Sequence, residues 1–387
     1  MTQESSCVTV KVLTPFTHDR SFHLTSIRSV SRALQQVLTD VADQAARARG
    51  CIQRQRKFSG TSLVQTLVLG WLQQPDASLT ALACTARDLG VDLSPQAVDQ
   101  RFTWSLAPCL EQTLAATLTT VVGSRPAPIE LLKRFPGGVY LLDSTTVSLP
   151  AALAADWQGC GGHAGQGEAA VKLQVQLGLL AWLAATEVAV VDVPLLLGRR
   201  QQLPVRRLAA RVPSPVAAER HRRLQQEAQR KQQPVSPQRL ALADWTILIT
   251  NVPTNQLTPA EAHTLYRARW QLAQLFQLWK THGQLDQWRS RQPLRILCEI
   301  YAKLIGLVLQ HWASTVGCWQ DPARSMLKAA QVVRAHASQI LLALQRLAWL
   351  DAILRRMREQ MVRRCRLATR KTHPGTYQCL LNPAPRA

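Results

Sequence analysis

The chain has 387 residues, which is long enough for two or three domains. Because 47% of them are hydrophobic, the chain is not disordered throughout. Its 46 Lys and Arg against 24 Asp and Glu give a formal charge of +22, which favours a polyanion such as nucleic acid as partner. The nine cysteines are few, odd in number and scattered, which argues against a disulfide-stapled secreted domain and indicates a reducing cytoplasm. The sequence has no secretory signal pattern, and its most apolar stretch contains Glu187, Asp192 and Pro194, so we expect no membrane partner.

Residues 1–57 form a basic lead-in with a helical pattern from Val30 to Arg49. Its closing basic cluster is either a solvated helix end or a set of phosphate contacts: Arg47, Arg49, Arg54, Arg56 and Lys57. Helical spacing continues from Ser62 to Leu72. Ser78 is placed to cap a helix over 79–88, and Gly90 is placed to stop it. Ser94-Pro95 then opens another helix to Phe102. The last two helices resemble a helix-turn-helix, and a plain helical bundle is an equal alternative.

The middle of the chain is richer in strand patterns. We predict a strand at 139–142, which 147–149 continues or pairs with, a strand at 172–177, a hairpin of 188–197 with 203–212, and a strand at 245–249. A basic helix at 217–231 interrupts them. Thr258-Pro259-Ala260-Glu261 then caps and opens a long helix through about Lys280, and the rest to about Arg366 is helical and rich in Arg.

Asp143 follows the apolar run Val139 to Leu142, in the sequence Leu142-Asp143-Ser144-Thr145. A carboxylate at the end of a strand projects from a rigid sheet edge, where a metal ligand is held firmly. Because Asp residues at strand ends often only begin turns, Asp143 by itself is a weak signal.

The long predicted helix carries a more specific pattern, because Tyr266, Arg269 and Lys280 fall at the spacing Y-x2-R-x3-E-x6-K. The run Thr250-Asn251-Val252-Pro253 precedes this helix. Together with the run that contains Asp143, these residues resemble the insertion-sequence-four branch of the DDE transposases, whose signature has Tyr, Arg, Glu and Lys at these positions. The resemblance covers roughly residues 58–350, and the signature helix is its most specific part.

The resemblance implies an α/β fold, namely an RNase H-like catalytic core with a β-rich insertion, flanked by N-terminal and C-terminal helical regions. We expect the helical, DNA-binding region at 58–135, the core at 136–290 with its insertion at about 178–250, and a basic helical region at 291–387. In this family three carboxylates hold two Mg²⁺ (or Mn²⁺) ions for in-line phosphoryl transfer. The resemblance makes Asp143 one catalytic residue and metal ligand.

The resemblance also implies DNA contacts on the signature helix. Tyr266, Arg269 and Lys280 occupy signature positions, and Arg267 lies beside them. Arg269 and Lys280 are eleven residues apart, about three turns, so they lie on one face of a helix. Trp279 is a candidate for stacking on an unpaired base, with core packing as the alternative, whereas core packing is the better hypothesis for Trp270.

Two departures from the family pattern concern catalysis. Ala273 stands at the position of the catalytic Glu, and a methyl group cannot coordinate a hard cation. No acid lies one turn away on that helix, and Glu261 and Asp286 are each about 18 Å or more along the axis. The second catalytic Asp is missing from its expected context near residue 178, which indicates an internal deletion. Asp192 and Asp244 are the only acids to propose as replacements.

We therefore predict a transposase by descent that still binds DNA, because binding rests on charge and on helices outside the deletion, but whose chemistry is impaired. Three alternatives stay open: a site completed by unrecognised carboxylates or a partner chain, a DNA-binding repressor, and a decayed product that folds poorly. We expect double-stranded DNA at the transposon ends as partner, a homodimer or assembly with full-length relatives, and a bacterial cytoplasmic location, on the nucleoid when DNA is bound.

Two further patterns have modest weight. Cys160-Gly161-Gly162-His163 has a ligand-like spacing, but a zinc site needs a second pair of ligands, and a Gly-rich loop is the better hypothesis. The late arginine cluster favours phosphate binding over a merely solvated face, because Glu359 is its only acid. Its members are Arg355, Arg356, Arg358, Arg363, Arg364 and Arg366.

Overall fold

The structure is a computed structural model of the chain. It describes residues 9–13, 26–52, 58–120, 131, 134–135, 140–148, 170–178, 190–197, 203–230, 232, 234–235, 240, 243–267, 269–318, 321 and 324–367. The chain divides into two compact units. The first is built from 1–125, 140–178 and 271–369, and the second from 126–139, 179–270 and 370–387. The four-part domain organisation expected from the sequence stays a prediction.

Most of the described residues of the first unit are helical. In chain order its helices are α1 (Ile27–Gln36), a π-helical turn (Val37–Val41), α2 (Ala42–Ala48), α3 (Gly60–Gln73), α4 (Leu79–Asp88), α5 (Pro95–Asp99) and α6 (Leu106–Thr119). In the second half of the chain they are α9 (Arg269–Thr281, whose first two residues fall in the second unit), α10 (Pro293–Cys318), α11 (Met326–Ala335), α12 (Ala337–Ala343) and α13 (Leu347–Arg364).

Side-chain caps fix the starts of several of these helices. The Ser78 hydroxyl accepts a hydrogen bond from the Ala81 backbone N–H, and the Ser94 hydroxyl accepts one from Ala97, so both predicted caps are confirmed. Gly90 has φ +77°, in the left-handed region that favours glycine, and it follows the end of α4 as predicted. The helix after Ser94 is shorter than predicted, because α5 ends at Asp99 rather than continuing to Phe102.

The core of the first unit is a cluster of aliphatic and aromatic side chains contributed by nearly all its helices. The long helix α10 lies at its centre, since it packs against α3, α6, α11 and α13. Trp71 on α3 is among the largest fully buried side chains. The helix α13 turns Leu350, Leu354, Met357 and Met361 inward, at intervals of three or four residues that place them on one face.

A three-stranded sheet also belongs to the first unit, in the order β1 (Thr9–Leu13), β3 (Ala170–Gly178), β2 (Tyr140–Ser148). β2 and β3 are antiparallel, with Asp143 opposite Val175, whereas β1 runs parallel to β3. The predicted strands at 139–142 and 172–177 are confirmed, and 147–148 continues the first of them. The sequence patterns do not predict β1, because the lead-in is marked by its charge and by its helical stretch.

The second unit contains an antiparallel sheet in the order β4 (Val190–Leu197), β5 (Leu203–Arg211), β6 (Trp245–Thr250). The predicted hairpin and the third strand are therefore confirmed. Among the described residues of this unit, two helices accompany the sheet. They are α7 (Ser214–Arg230), which is the predicted basic helix, and α8 (Pro259–Arg267). The Arg220 guanidinium of α7 donates to the carbonyl oxygens of Ala243 and Trp245, which anchors that helix to the start of β6.

The described residues are thus mostly helical with two small sheets, and the RNase H-like arrangement of a core and an insertion stays a prediction. None of the helices in the described ranges is both long and apolar enough to cross a membrane. The Cys160 to His163 run and most of the apolar stretch around 179–189 lie outside the described residues.

Candidate active site and nucleic-acid surface

The first predicted catalytic residue, Asp143, lies within β2 rather than at its end. The strand runs from Tyr140 to Ser148, and the backbone of Asp143 is in register with Val175 of β3. The sequence indicated a strand that stops at Leu142, but the β-branched residues after Ser144 extend it. Asp143 is therefore held on a paired strand, and its role as a metal ligand stays a prediction.

The signature segment is divided between two helices, with Ala268 outside the described residues. Tyr266 and Arg267 end α8, and Arg269 begins α9. All three side chains are exposed. The Arg269 guanidinium carbon lies 5.6 Å from the centroid of the Tyr266 ring, a cation–π distance that orients the arginine beside the phenol. Two signature residues thus form one exposed, basic and aromatic surface within the second unit.

The remaining signature positions lie on the part of α9 that belongs to the first unit. Ala273 is half-buried, and Lys280 is half-buried near the end of the helix. Trp279 is only 5% exposed and packs edge-on against Phe276, with ring centroids 6.1 Å apart. An indole buried in this way is not available for stacking on a base, so the packing interpretation of Trp279 is the one its surroundings support.

The acids nearest to Ala273 in the sequence have other structural partners or lie off the helix. Glu261 is buried at the start of α8, where its carboxylate accepts hydrogen bonds from the Thr258 backbone N–H (2.9 Å) and hydroxyl (2.8 Å). Arg134 lies 2.9 Å from the other carboxylate oxygen. In return, the Thr258 hydroxyl caps the Glu261 N–H, so the predicted helix start is confirmed as a capping box. Asp286 lies beyond the end of α9.

Glu261→Ala is expected to lower the free energy of unfolding by about 1–3 kcal/mol, because it removes the cap and leaves the Thr258 donors without their acceptor. Hydrogen exchange of the α8 amides, measured on the variant and on wild type, would report the loss. Glu261→Gln is the matched control, since its amide oxygen can still cap the helix. A loss equal in both variants would show that the ion pair with Arg134 dominates instead of the cap.

The two acids proposed as replacements for the second catalytic Asp each lie against a basic side chain within the second unit. The Arg206 guanidinium donates to both carboxylate oxygens of Asp192, at 3.1 Å from Nε to Oδ1. Asp244 Oδ1 lies 2.9 Å from His221 Nε2. Arg206 also donates to the carbonyl oxygens of Val252 and Leu257, which ties the Thr250 to Pro253 run to β5. Both acids therefore have structural roles, and Arg206 is a contact that the sequence patterns did not indicate.

The carboxylates described by the structure do not fit a two-ion metal site. No group of three His, Cys, Asp or Glu side chains within the described ranges is close enough to hold a metal ion. Along α9, from Arg269 to Thr281, the sequence contains no acid at all. Hard divalent cations require several oxygen ligands, so the donor set that these elements offer is incomplete.

A second basic surface lies on α13. Because its apolar residues face the core, the arginines of this helix point outward, and Arg355, Arg356 and Arg363 are all exposed. Within the described residues no carboxylate forms an ion pair with these three arginines, although Glu359 lies on the same helix. At the start of the helix the Arg346 guanidinium lies 4.6 Å from the centroid of the Trp349 ring, and that indole is 53% exposed.

A family model described as "Transposase DDE domain" matches residues 196–309, which extend from the end of β4 into α10. Residues 196–309 are therefore similar to the DDE domain of transposases. The resemblance seen in the sequence is thereby confirmed, although the matched segment does not include Asp143. No solved structure matches the chain.

Several relatives are named as transposases of insertion sequences. The chain is 28% identical over 113 residues to the transposase for insertion sequence element IS231F of Bacillus thuringiensis subsp. israelensis, covering 29% of this chain and 24% of that protein. It is 35% identical over 68 residues to the IS231E transposase of B. thuringiensis subsp. finitimus (18% and 14%) and 32% identical over 80 residues to the IS1151 transposase of Clostridium perfringens (21% and 17%). The chain therefore spans at most about a quarter of the length of each of these transposases.

Proposed function

We propose that this chain is a DDE transposase relative that binds duplex DNA at the ends of its insertion sequence and whose phosphoryl-transfer chemistry is impaired. The observation that carries the proposal is the composition of α9 and the residues before it. This segment keeps the signature Tyr266, Arg269 and Lys280 but has Ala273 at the position of the catalytic Glu. The groups suited to DNA contact are retained, and the group that would hold a metal ion is lost.

The proposed architecture begins with a basic lead-in (1–57) and a helical DNA-binding region (58–135). An RNase H-like core follows at 136–290, with a β-rich insertion at about 178–250, and a basic helical region (291–387) comes last. The antiparallel β2–β3 pair that carries Asp143 and the β4–β5–β6 sheet inside the proposed insertion support this assignment. The two helices of the proposed helix-turn-helix, α4 and α5, are both capped by serine.

DNA contacts are proposed for the exposed surface of Tyr266, Arg267 and Arg269, and for Lys280. Positive charge near a phosphate backbone releases condensed counterions, so each such contact strengthens binding and makes it more sensitive to salt. The proposed contacts leave out Trp279, whose indole is buried. They include the exposed arginines of α13, whose outward face has five Arg against one Glu.

The family's metal chemistry is proposed to be incomplete here. Mg²⁺ or Mn²⁺ would supply activation of the attacking oxygen and stabilisation of the leaving oxygen. Asp143 would be one ligand, but neither α9 nor the acids at 192 and 244 supply the others. Because the described donor set does not fit two ions, we derive no catalytic step for this chain.

A cleavage assay tests the proposal. Purified chain is mixed with a labelled duplex that carries the DNA flanking its gene, with Mg²⁺ or Mn²⁺ added, and strand cleavage is read on a denaturing gel. We expect no cleavage by wild type, nor by Ala273→Glu, because one restored carboxylate still leaves the site incomplete. Binding of the same duplex in a gel-shift assay is expected to be retained and to weaken steeply with salt.

Asp143→Ala is the matched control, and a thermal melt shows that each variant folds. Cleavage by wild type that disappears in Asp143→Ala would contradict the proposed impairment and would require ligands from other residues or from a partner chain. Failure of wild type to bind the duplex, in a chain that melts cooperatively, would contradict the DNA-binding part of the proposal.

A second candidate function is a non-catalytic repressor of full-length relatives. Retained basic residues together with a missing carboxylate favour it, because such a chain can occupy transposon ends, or join an assembly with full-length relatives, without cutting. It is tested by adding the chain to an active full-length relative on shared ends. A fall in cleavage with added chain is expected of a repressor, and unchanged cleavage would count against it.

A further inference from the structure

The end of α2 and the start of α6 bring two cysteines to one backbone carbonyl within the first unit. The Cys51 thiol donates a hydrogen bond to the Ser105 carbonyl oxygen, with 2.9 Å between sulfur and oxygen. The backbone N–H of Cys109 donates to the same oxygen, at 3.2 Å. The Cys51 sulfur therefore lies against the helical turn of α6 that carries Cys109.

The position of Cys51 is set by the way α2 ends. Gly50 has φ +67°, and the Cys51 N–H donates to the Ala46 carbonyl oxygen at 2.9 Å, the hydrogen bond of a Schellman motif. A second contact joins the same two elements, because Arg49 Nε donates to Gln112 Oε1 at 2.9 Å. Cys51 is thus held by a defined helix terminus on one side and by α6 on the other.

The two thiols have opposite chemical environments. Cys51 is half-buried, whereas Cys109 is 1% exposed. A hydrogen bond from the Cys109 thiol lowers the pKa of Cys51, and the same hydrogen bond, together with burial, raises the pKa of Cys109. Cys298 on α10 is fully buried, and burial raises its pKa to about 12. Of these three thiols, Cys51 is therefore the one whose pKa is lowered and the one that solvent reaches.

We propose that Cys51 and Cys109 form a peroxide-sensitive thiol pair, in which Cys51 is oxidised first and Cys109 then closes a disulfide. This proposal is independent of the proposed function. An accessible thiol held next to a second thiol is the arrangement found at sites of reversible cysteine oxidation. The other described cysteines lack it, because Cys84 is exposed but has no cysteine beside it among the described residues, and Cys318 and Cys365 are both buried.

The chemistry balances with hydrogen peroxide as the only oxidant. The Cys51 thiolate attacks one peroxide oxygen, the O–O bond breaks, and the departing hydroxide takes a proton to become water, which leaves a sulfenic acid on Cys51. The Cys109 sulfur then attacks the Cys51 sulfur, the S–O bond breaks, and hydroxide leaves with the Cys109 proton as water. Two thiols and one peroxide thus give one disulfide and two waters, with both sulfurs oxidised and both peroxide oxygens reduced.

The experiment treats the full chain with hydrogen peroxide, blocks remaining thiols with N-ethylmaleimide, and maps disulfides by mass spectrometry of a non-reducing digest. In wild type we expect one dominant cross-link between Cys51 and Cys109, with the loss of two hydrogens. In Cys109→Ser we expect no such cross-link and a trappable sulfenic acid on Cys51. In Cys51→Ser we expect neither product, and Cys84→Ser should behave as wild type.

The wild-type measurement does not depend on any variant folding. A cross-link of Cys51 to Cys298 would overturn the assignment of Cys109. Oxidation of Cys51 no faster than that of Cys84 would overturn the claim that Cys51 is the activated thiol. Circular dichroism of Cys109→Ser tests whether this variant keeps the helical content of wild type. Cys109→Ala is a second substitution with the same expected result.

Discussion

Lys303→Met is expected to lower the free energy of unfolding by about 3–5 kcal/mol, although it retains an unbranched side chain of similar length. The substitution removes the positive charge but leaves Glu299, the acid that pairs with it. Glu299 is buried one turn earlier on α10, and without Lys303 its carboxylate has lost the charge that compensates its burial.

Besides its ion pair with Glu299, Lys303 donates two hydrogen bonds to backbone carbonyl oxygens. Its Nζ lies 2.7 Å from Glu299 Oε1 and donates to the carbonyl oxygens of Gln284 (2.9 Å) and Gln287 (2.7 Å), so all three of its N–H groups have acceptors. Gln284 has φ +47°, a left-handed backbone that a non-glycine residue adopts at some cost. Burial raises the pKa of Glu299 and lowers the pKa of Lys303, and in both groups this effect exceeds the attraction of the partner.

Chemical denaturation, with hydrogen exchange of the α10 amides to separate the two units, measures the effect. The double variant Glu299→Leu/Lys303→Met is the matched control, since it removes both charges and leaves none unpaired. We expect it to be more stable than Lys303→Met alone, because replacing a whole buried pair is tolerated better than breaking one. If the free energy of unfolding of Lys303→Met lies within about 1 kcal/mol of the wild-type value, water reaches the Glu299 carboxylate.

Removing three arginines from the outer face of α13 is expected to weaken duplex binding by on the order of 100-fold at 0.15 M salt. The variant is Arg355→Ala/Arg356→Ala/Arg363→Ala. If each side chain contacts one phosphate, the slope of log affinity against log salt should become shallower by about 2.7, because each contact contributes about 0.9. The loss should be similar for specific and unrelated sequences, since phosphate contacts carry no sequence information.

The helix α7 supplies a control with the same spacing. Arg222, Arg223 and Arg230 are exposed on that helix at the same intervals as the three residues of α13. Arg222 and Arg223 form ion pairs with Glu219, so their charge is already partly compensated. Replacing all three by Ala removes the same net charge and should change affinity far less. Equal losses in the two triple variants would show that only total charge matters, and an unchanged α13 variant would remove that helix from the DNA surface.

Much of the local structure could be predicted because its causes are local. Serine caps at Ser78 and Ser94, the stop at Gly90 and the capping box of Thr258 with Glu261 involve residues within a few positions of one another. Runs of apolar residues likewise indicated the strands β2 to β6. For the candidate site, the sequence indicated the signature residues and the missing carboxylate, because these depend only on which residue occupies which position.

The rest depends on contacts between distant segments. The strand β1 pairs with β3 across 163 positions, since Thr9 lies opposite Lys172, and nothing in the lead-in itself encodes that pairing. Trp279 is buried because α9 packs into the core that distant helices form, whereas its neighbour Lys280 suggested an exposed position. The contacts of Arg206 with Asp192, and of Lys303 with Gln284 and Gln287, were also invisible in the sequence for this reason.

The discontinuous make-up of the two units has a consequence for how the chain emerges from the ribosome. The main segment of the second unit, residues 179–270, is contiguous, but the first unit needs α10 to α13, which are synthesised after it. Until α10 has been synthesised, the faces of α3 and α6 that pack against it stay exposed to solvent. The strand β1 likewise has no pairing partner until β3 has been synthesised. Because non-local contacts form slowly and exposed apolar surface promotes aggregation, we expect the nascent first unit to depend on chaperones until translation ends.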